Sequence, residues 1–487
     1  MTSADLRRHA RPVREAVWEI PPTVKPGMRV PARLYASDDL MASLDDGVFE
    51  QITNVAMLPG IVGHAICLPD GHWGYGFPIG GVAAMDPATG VISPGGIGFD
   101  INCGMRMLRT NLVFDEIRDR VPALVDALFE RVPAGVGGRG LLQLSDDELR
   151  DLSVRGARWC VDRGYGWRGD LERTEEQGAI GGADPDKVSA RALERGREQV
   201  GTLGSGNHYL ELQIARPEHV YEPATAAAMG IDRPNQVVIM FHCGSRGFGH
   251  QIASDYVQRF APLMKKLGIH LPDRDLACAP FASDEGQAYF AAMKCAINVS
   301  FANRQMILHR VREVFSDVLG RDAHELGLEM VYDVAHNTAK LEEHEVDGRR
   351  RKLLVHRKGA TRAFGPNRDD IPTHLRRIGQ PVIIGGSMES GSYLLSGVDS
   401  GAESFFTTAH GSGRTMSRTQ AKRQFEGRKL QREMAYRGIY VRTASYSGLA
   451  EEAGAAYKDI DSVVEATRLA GLSRPIARLT PIGNVKG

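Results

Sequence analysis

Four histidines and one Asp-x-x-Cys pair in this chain each sit in a glycine-studded segment, and the segments are far apart in sequence. They are Gly95-Gly-Ile-Gly-Phe-Asp100-Ile-Asn-Cys103-Gly, Gly204-Ser-Gly-Asn207-His208, Phe241-His242-Cys-Gly-Ser-Arg246-Gly, Asp333-Val-Ala-His336-Asn337 and Ala409-His410-Gly-Ser-Gly-Arg414. Glycine lets backbone approach a ligand closely and take angles that other residues avoid. Carboxylate, thiolate and imidazole are the usual metal-binding side chains. For these segments to share one metal and phosphate site, residues 70 to 410 must converge. One interwoven domain over 1–487 is therefore expected, not separable modules. The expected class is α+β: mixed β-sheets flanked by helices, with the site built from strand-end loops. No βαβ rhythm appears, and Gly204-x-Gly206 lacks the strand–turn–helix context of a dinucleotide fold.

Local patterns predict the elements. Residues 1–35 are rich in Pro and Arg and read as an irregular arm. Residues 38–58 read as helical. From Ala65 to Val113 short apolar runs alternate with Gly/Pro turns, the mark of strands joined by tight loops. Helical spacing covers 115–131, 146–163, 187–198, 250–266 and, longest, 285–318. Residues 164–186, dense in Gly and charge, read as a surface insertion. Strands are expected after Asn207, over Val237–Phe241, and near 328–334, 351–356 and 381–384. Basic helices follow over 415–435, with a last helix over 459–470.

Composition excludes several classes. No apolar run is long enough to span a bilayer, and the N-terminus lacks the apolar core of a signal peptide, so a cytoplasmic protein with no membrane partner is expected. The six cysteines form no C-x-x-C pair, which argues against a disulfide framework. Lys plus Arg equals Asp plus Glu at 60 each, so net charge does not announce nucleic acid. The stretch Arg414–Arg442 is locally basic; the residues alone fit either a solvated helix face or a phosphate-binding patch.

A lone histidine is usually structural, and this chain has 15. His219, His309, His324, His344 and His374 lie among charged or helical residues and read as surface or packing groups. The five glycine-flanked segments gain weight from their combination. Asp100 and Cys103, three apart in a turn, can face one ion or two adjacent ions. Cys with His favours zinc, while Asp with phosphate oxygens favours manganese or magnesium, so the residues leave the metal open. Asn207 and Asn337 offer amides to phosphate or to a ligand. Gly385 to Ser392 and Gly411-Ser412-Gly413 offer backbone N–H donors to an anion, and Arg246 and Arg418 offer charge-assisted bonds. His410 is either a further ligand or a nucleophile toward phosphorus.

The same segments resemble the RtcB-type RNA-splicing ligases. The resemblance runs from about Ala65 to Gly487. It rests on Pro69-Asp70-Gly-His72, Gly98-Phe-Asp100-Ile-Asn-Cys103-Gly, Gly201-Thr-Leu-Gly-Ser-Gly-Asn207-His208, His242-Cys-Gly-Ser-Arg246-Gly, His336-Asn337, His356-Arg-Lys-Gly-Ala-Thr-Arg362, Gly386-Ser-Met, His410-Gly-Ser-Gly-Arg414 and Ala456-Tyr-Lys-Asp-Ile-Asp461. It implies an RNA ligase that uses GTP and two manganese ions to join a 3′-phosphate or 2′,3′-cyclic phosphate end to a 5′-hydroxyl end. The RNA is expected to be tRNA halves or broken RNA.

Residue roles follow from the same resemblance. Asp100, Cys103, His208, His242 and His336 would hold the metals, with Cys103 shared. His410 would carry GMP covalently. Nucleotide contacts would come from Asn207, His208, Tyr209, Leu210, Glu211, His336, Asn337, Gly385, Gly386, Ser387, Met388, Ser392, His410, Gly411, Ser412, Gly413 and Lys486. Arg195, Arg246 and Arg418 would hold RNA phosphates, and Asp70 would support the site from behind the ligands. Ser412, Cys243 and Gly454 depart from the residues common in the family. A metal-dependent phosphohydrolase and an RNA-binding module without ligase activity are the competing readings, and the need for an archease-type activating partner stays open.

Overall fold

A computed structural model describes residues 3–135 and 137–487; Met1 and Thr2 of the N-terminal arm lie outside them. The run Val237-Val-Ile-Met-Phe241 is apolar at every position, a pattern that needs cover on both faces of its strand. It has that cover: Gln236–Cys243 is buried throughout and sits inside an eight-stranded sheet. The strand order there is Glu329–Ala335, Gly104–Val113, Gln236–Cys243, Tyr209–Val220, Ser473–Lys486, Ser392–Gly397 and Pro381–Gly385, with Tyr440–Thr443 pairing in parallel with Ser473–Lys486. All other neighbours are antiparallel.

A second, seven-stranded sheet runs Arg11–Arg14, Val17–Ile20, Ala32–Tyr35, Ile61–His72, Ile79–Met85, Arg349–Lys358 and Asn337–Val346. One of the passages between the sheets takes a single residue. Ala335 ends its strand in the first sheet, Asn337 begins its strand in the second, and His336 lies between them.

The helix Asp284–Leu319 packs against both the site loops and the helical layer. Most of its core-facing residues are apolar, but Asn298, Asn303, Arg304, Gln305 and Arg312 are buried too. Buried polar groups need partners, and here the partners are the loops. Asn303 bonds the backbone of Gly201, Thr202 and Gly244, and Arg304 bonds the carbonyls of Asn102 and Cys243 and the carboxylate of Asp333. One helix face thus pins the segments that lead into Cys103, His208, His242 and His336. Among the described residues no helix is long and apolar enough to cross a membrane.

Two expectations are corrected. Part of the 1–35 arm is ordered: Arg11–Arg14, Val17–Ile20 and Ala32–Tyr35 form one edge of the seven-stranded sheet. These strands have only four residues each, and the outermost is exposed at every position, so no apolar alternation marks it. Residues 164–186, expected as a surface insertion, are exposed in part but also reach into the core. Asp170 pairs with Arg312 at 2.7 Å, Glu175 with Lys340 at 3.0 Å, and Thr174 bridges to Asp333. Two of the charges that suggested solvent, Asp170 and Glu175, are buried in ion pairs, while Arg168, Glu172 and Asp186 remain exposed. His344 is likewise buried against Glu342, which also binds Arg357.

Candidate metal and nucleotide site

Antiparallel order explains how distant segments meet. In four adjacent strands the same end of the sheet holds alternately a start and a finish. Cys103 precedes Gly104–Val113, His208 precedes Tyr209–Val220, His242 is next to last in Gln236–Cys243, and His336 follows Glu329–Ala335. The register places His242 opposite both Met105 and Tyr209, and Gly104 opposite both Cys243 and Ala335. The four side chains therefore share one edge.

Their donor atoms converge. Cys103 Sγ lies 3.3 Å from His208 Nε2 and 3.1 Å from His242 Nε2, and His242 Nε2 lies 3.1 Å from His336 Nε2. Asp100 Oδ2 is 2.9 Å from His208 Nε2. The Nδ1 of His242 is 3.0 Å from the Asn207 carbonyl, which can only accept. That bond places the ring proton on Nδ1 and leaves the Nε2 lone pair facing a thiol and a second imidazole. His208 is held differently: its Nδ1 faces both the Leu203 carbonyl and Arg246 Nη1, each at 2.9 Å. Asp100 Oδ1 and His336 Nδ1 are buried with no partner.

Electrostatics agree with a cation. Burial, reinforced by neighbouring imidazoles, holds His242 and His336 well below the usual histidine value, so both are neutral and able to ligate. Burial opposes ionisation of Asp100, yet the hydrogen bond and charge of His208 hold it low. Burial, and then Asp100, pushes the Cys103 thiol well above its usual value; a bound cation reverses that direction. Lone pairs facing one another, with two unpartnered buried atoms alongside, fit a divalent transition ion.

His410 follows the short strand Thr407–Ala409, which pairs with Ala360–Arg362. Its ring centroid lies 4.7 Å from that of His336. Asp70 Oδ2 lies 2.6 Å from His410 Nδ1 and also accepts from the backbone N–H of His410 and of Gly411, at 3.0 and 3.3 Å. Gly413, at φ +73°, crosses the Asp70 backbone so closely that a Cβ would lie 2.1 Å from its carbonyl oxygen.

A cavity of about 820 Å³ opens beside His410. Of the residues expected from sequence, Asn207, Tyr209, His242, Gly385 to Met388, His410 to Gly413, Arg418 and Lys486 line it. Lys486 is buried, with Nζ 3.5 Å from Glu452 and 5.5 Å from the centre of the Tyr209 ring. Other expected residues stand apart. Leu210 is in the apolar core. Asn337 spends its amide on the Asp100 carbonyl and the Gly359 N–H. Ser392 accepts from Gln213. Glu211 is buried behind Lys486, bonded to Gln213 and Asn484. Arg195 bonds Gln251 and lines a separate shallow depression, whereas Arg246 is close to the candidate metal donors through His208. Cys243 is turned into the core and accepts from Asn303 Nδ2 at 3.4 Å.

Sequence reading missed Glu452. It is buried in the cavity wall and gathers Lys486, Arg414, Arg418 and the Tyr457 hydroxyl. Its only signal was an acidic pair, Glu451-Glu452, next to a basic stretch. Trp73, Tyr75 and Lys458 also line the cavity.

The family model described as "tRNA-splicing ligase RtcB" matches residues 51–487. A tRNA-splicing ligase RtcB of Thermococcus kodakarensis is 53% identical over 472 residues, covering 96% of this chain and 97% of that protein. One of Archaeoglobus fulgidus is 52% identical, with coverage of 96% and 97%. An RNA-splicing ligase RtcB of Mycobacterium tuberculosis is 49% identical over 440 residues, 90% of this chain and all of that protein.

Proposed function

The chain belongs to the RtcB family of tRNA-splicing ligases, and from that premise and the geometry of its site we propose a GTP-dependent ligase joining 3′-phosphate or 2′,3′-cyclic phosphate RNA ends to 5′-hydroxyl ends. The observation that carries the mechanism is the bond between Asp70 and His410 Nδ1. It leaves Nε2 of a histidine beside the metal donors free to act as a nucleophile. In a phosphohydrolase the same imidazole would act only as a general acid or base, so a covalent adduct on His410 separates the two readings.

His410 Nε2 attacks the α-phosphate of GTP; an N–P bond forms, the bond to the bridging oxygen breaks, and pyrophosphate leaves. Asp70 keeps the remaining ring proton on Nδ1 and stabilises the positive charge that develops on the ring. The backbone N–H groups of Gly386, Met388 and Gly413 would face the phosphates, since those of Gly385, Ser387, Gly411 and Ser412 already donate to His410, Ser390, Asp70 and Gly385. Lys486 and Glu452 meet the nucleotide at the far wall. Asp100, Cys103, His208, His242 and His336 would hold two manganese ions, with Cys103 between the Asp100/His208 and His242/His336 groups. Such ions, when bound, neutralise charge on phosphate oxygens. His410 then yields GMP to the RNA 3′-phosphate, a cyclic phosphate having first been opened by water. The 5′-hydroxyl of the second RNA attacks that phosphorus, a phosphodiester forms, and GMP leaves. Arg418 in the cavity wall and Arg246 beside His208 would supply charge to RNA phosphates.

The test is a joining assay with two labelled RNA fragments, GTP and Mn²⁺. Fragments with 3′-phosphate and 5′-hydroxyl ends should give one longer product. Loss of the 3′-phosphate with no joined product would favour the phosphohydrolase.

A further inference from the structure

Large aromatic side chains on a protein surface call for a partner when they cluster. Trp73 and Tyr75 are 55% and 64% exposed, and both stand at the cavity. From Tyr75 a row of rings leads away from it. Tyr75 meets Phe99 edge-on at 6.0 Å, and Phe99 stacks on His250 at 5.0 Å with planes 28° apart. Phe99 directly precedes Asp100. His250 is exposed and lies one turn beyond Arg246 on the helix Arg246–Lys266.

The cations lie along the same row. Arg246 reaches Thr202 and His208. Arg195 lies against Gly247, where a Cβ would be 3.0 Å from its Nε. The row thus begins at the nucleotide cavity, passes the residue next to a metal-donor carboxylate, and ends beside two arginines. Flat rings next to guanidinium groups are what a single nucleic-acid strand recognises: bases stack on the rings and phosphates meet the cations.

We propose that Tyr75, Phe99 and His250, with Trp73 at the cavity mouth, form a stacking track for the unpaired terminal nucleotides of the RNA being joined. The proposal rests on the ligase reading and adds how the end is held. Every base has a stacking face, so the track grips the end without reading its sequence. Arg246 and Arg195 hold the phosphates of the same nucleotides, which directs the terminal phosphate toward the site edge.

The test is a binding cycle with a short single-stranded RNA ending in a 3′-phosphate, prepared with its last three bases present or removed. Base removal should weaken binding to the wild-type protein by roughly tenfold or more. Tyr75→Ala should weaken binding of the intact RNA by a similar factor and shrink the difference between the two RNAs. Tyr75→Phe should restore both, and His250→Ala should act in the same direction as Tyr75→Ala. Tyr75 is mostly exposed, so its replacement does not threaten the fold. Equal wild-type binding of the two RNAs would overturn the track, as would full discrimination retained in Tyr75→Ala. A wild-type protein that joins no ends fails the ligase reading; one that joins ends yet ignores the bases fails only this proposal.

Discussion

Asp70 Oδ2 accepts from three N–H groups of one loop: the His410 ring at 2.6 Å and the backbone of His410 and Gly411. One buried carboxylate therefore fixes both the orientation of the imidazole and the turn that carries it. Burial alone would raise its pKa, but His410 and its hydrogen bonds hold it below the usual carboxylate value. Asp70→Asn can offer an N–H where Nδ1 needs an acceptor, which selects the wrong tautomer. Formation of the protein–GMP adduct should slow by about 10²–10⁴-fold, with metal content unchanged. A near-normal rate would remove Asp70 from the mechanism.

Cys103 touches two of the imidazoles at once, whereas Cys243 is bonded to Asn303 in the core. Cys103→Ser should therefore strip most of the bound metal, read by elemental analysis after dialysis, and abolish ligation. Cys243→Ser should keep its metal and lose only stability, by about 1–3 kcal/mol for the buried hydroxyl. The reverse pattern would make Cys243 the ligand.

Lys486 is no frayed end. It closes a 14-residue strand, paired with Tyr209 on one side and Thr443 on the other. Lys486→Ala should slow adduct formation and raise the GTP requirement without unfolding the protein. Deleting Lys486 and Gly487 should add a loss of thermal stability. Labelling unchanged at limiting GTP in Lys486→Ala would leave the lysine a purely structural partner of Glu452.

Glu211 gives a pH signature. Burial pushes its carboxyl from 4.5 up to about 7, with the Gln213 hydrogen bond and then Lys486 opposing. Between those values the folded protein keeps a proton that the unfolded chain has lost, so stability falls as pH rises through the window. The side-chain oxygens of its neighbours Gln213 and Asn484 are buried and unpartnered, so a neutral group with an N–H or O–H suits the place. Glu211→Gln should melt higher, relative to wild type, at pH 8 than at pH 5, by at most about 3 kcal/mol in stability. An equal offset at the two pH values would show that Glu211 is ionised across the range.

The convergence of the candidate site was legible in the sequence because its residues sit at strand ends, where glycine and short polar motifs interrupt apolar runs. His208, His242 and His336 could be picked from 15 histidines on that ground. Local patterns cannot carry the pairing order that makes those ends adjacent, since it depends on contacts hundreds of residues apart. Glu175 and Asp170 read as surface charges because composition cannot distinguish a solvated charge from one paired with Lys340 or Arg312. The strand Ser473–Lys486 shows no readable alternation because Pro475, Pro481 and Gly483 break its pattern, and its register slips at bulges against both antiparallel neighbours.

The most direct measurement is transfer of label from α-labelled GTP to the protein with Mn²⁺ and no RNA. The account predicts a stoichiometric, acid-labile and base-stable adduct on the wild-type chain, and none on His410→Ala, which retains its metal. An adduct that persists in His410→Ala, or a wild-type protein that joins RNA ends without ever taking up label, would contradict it.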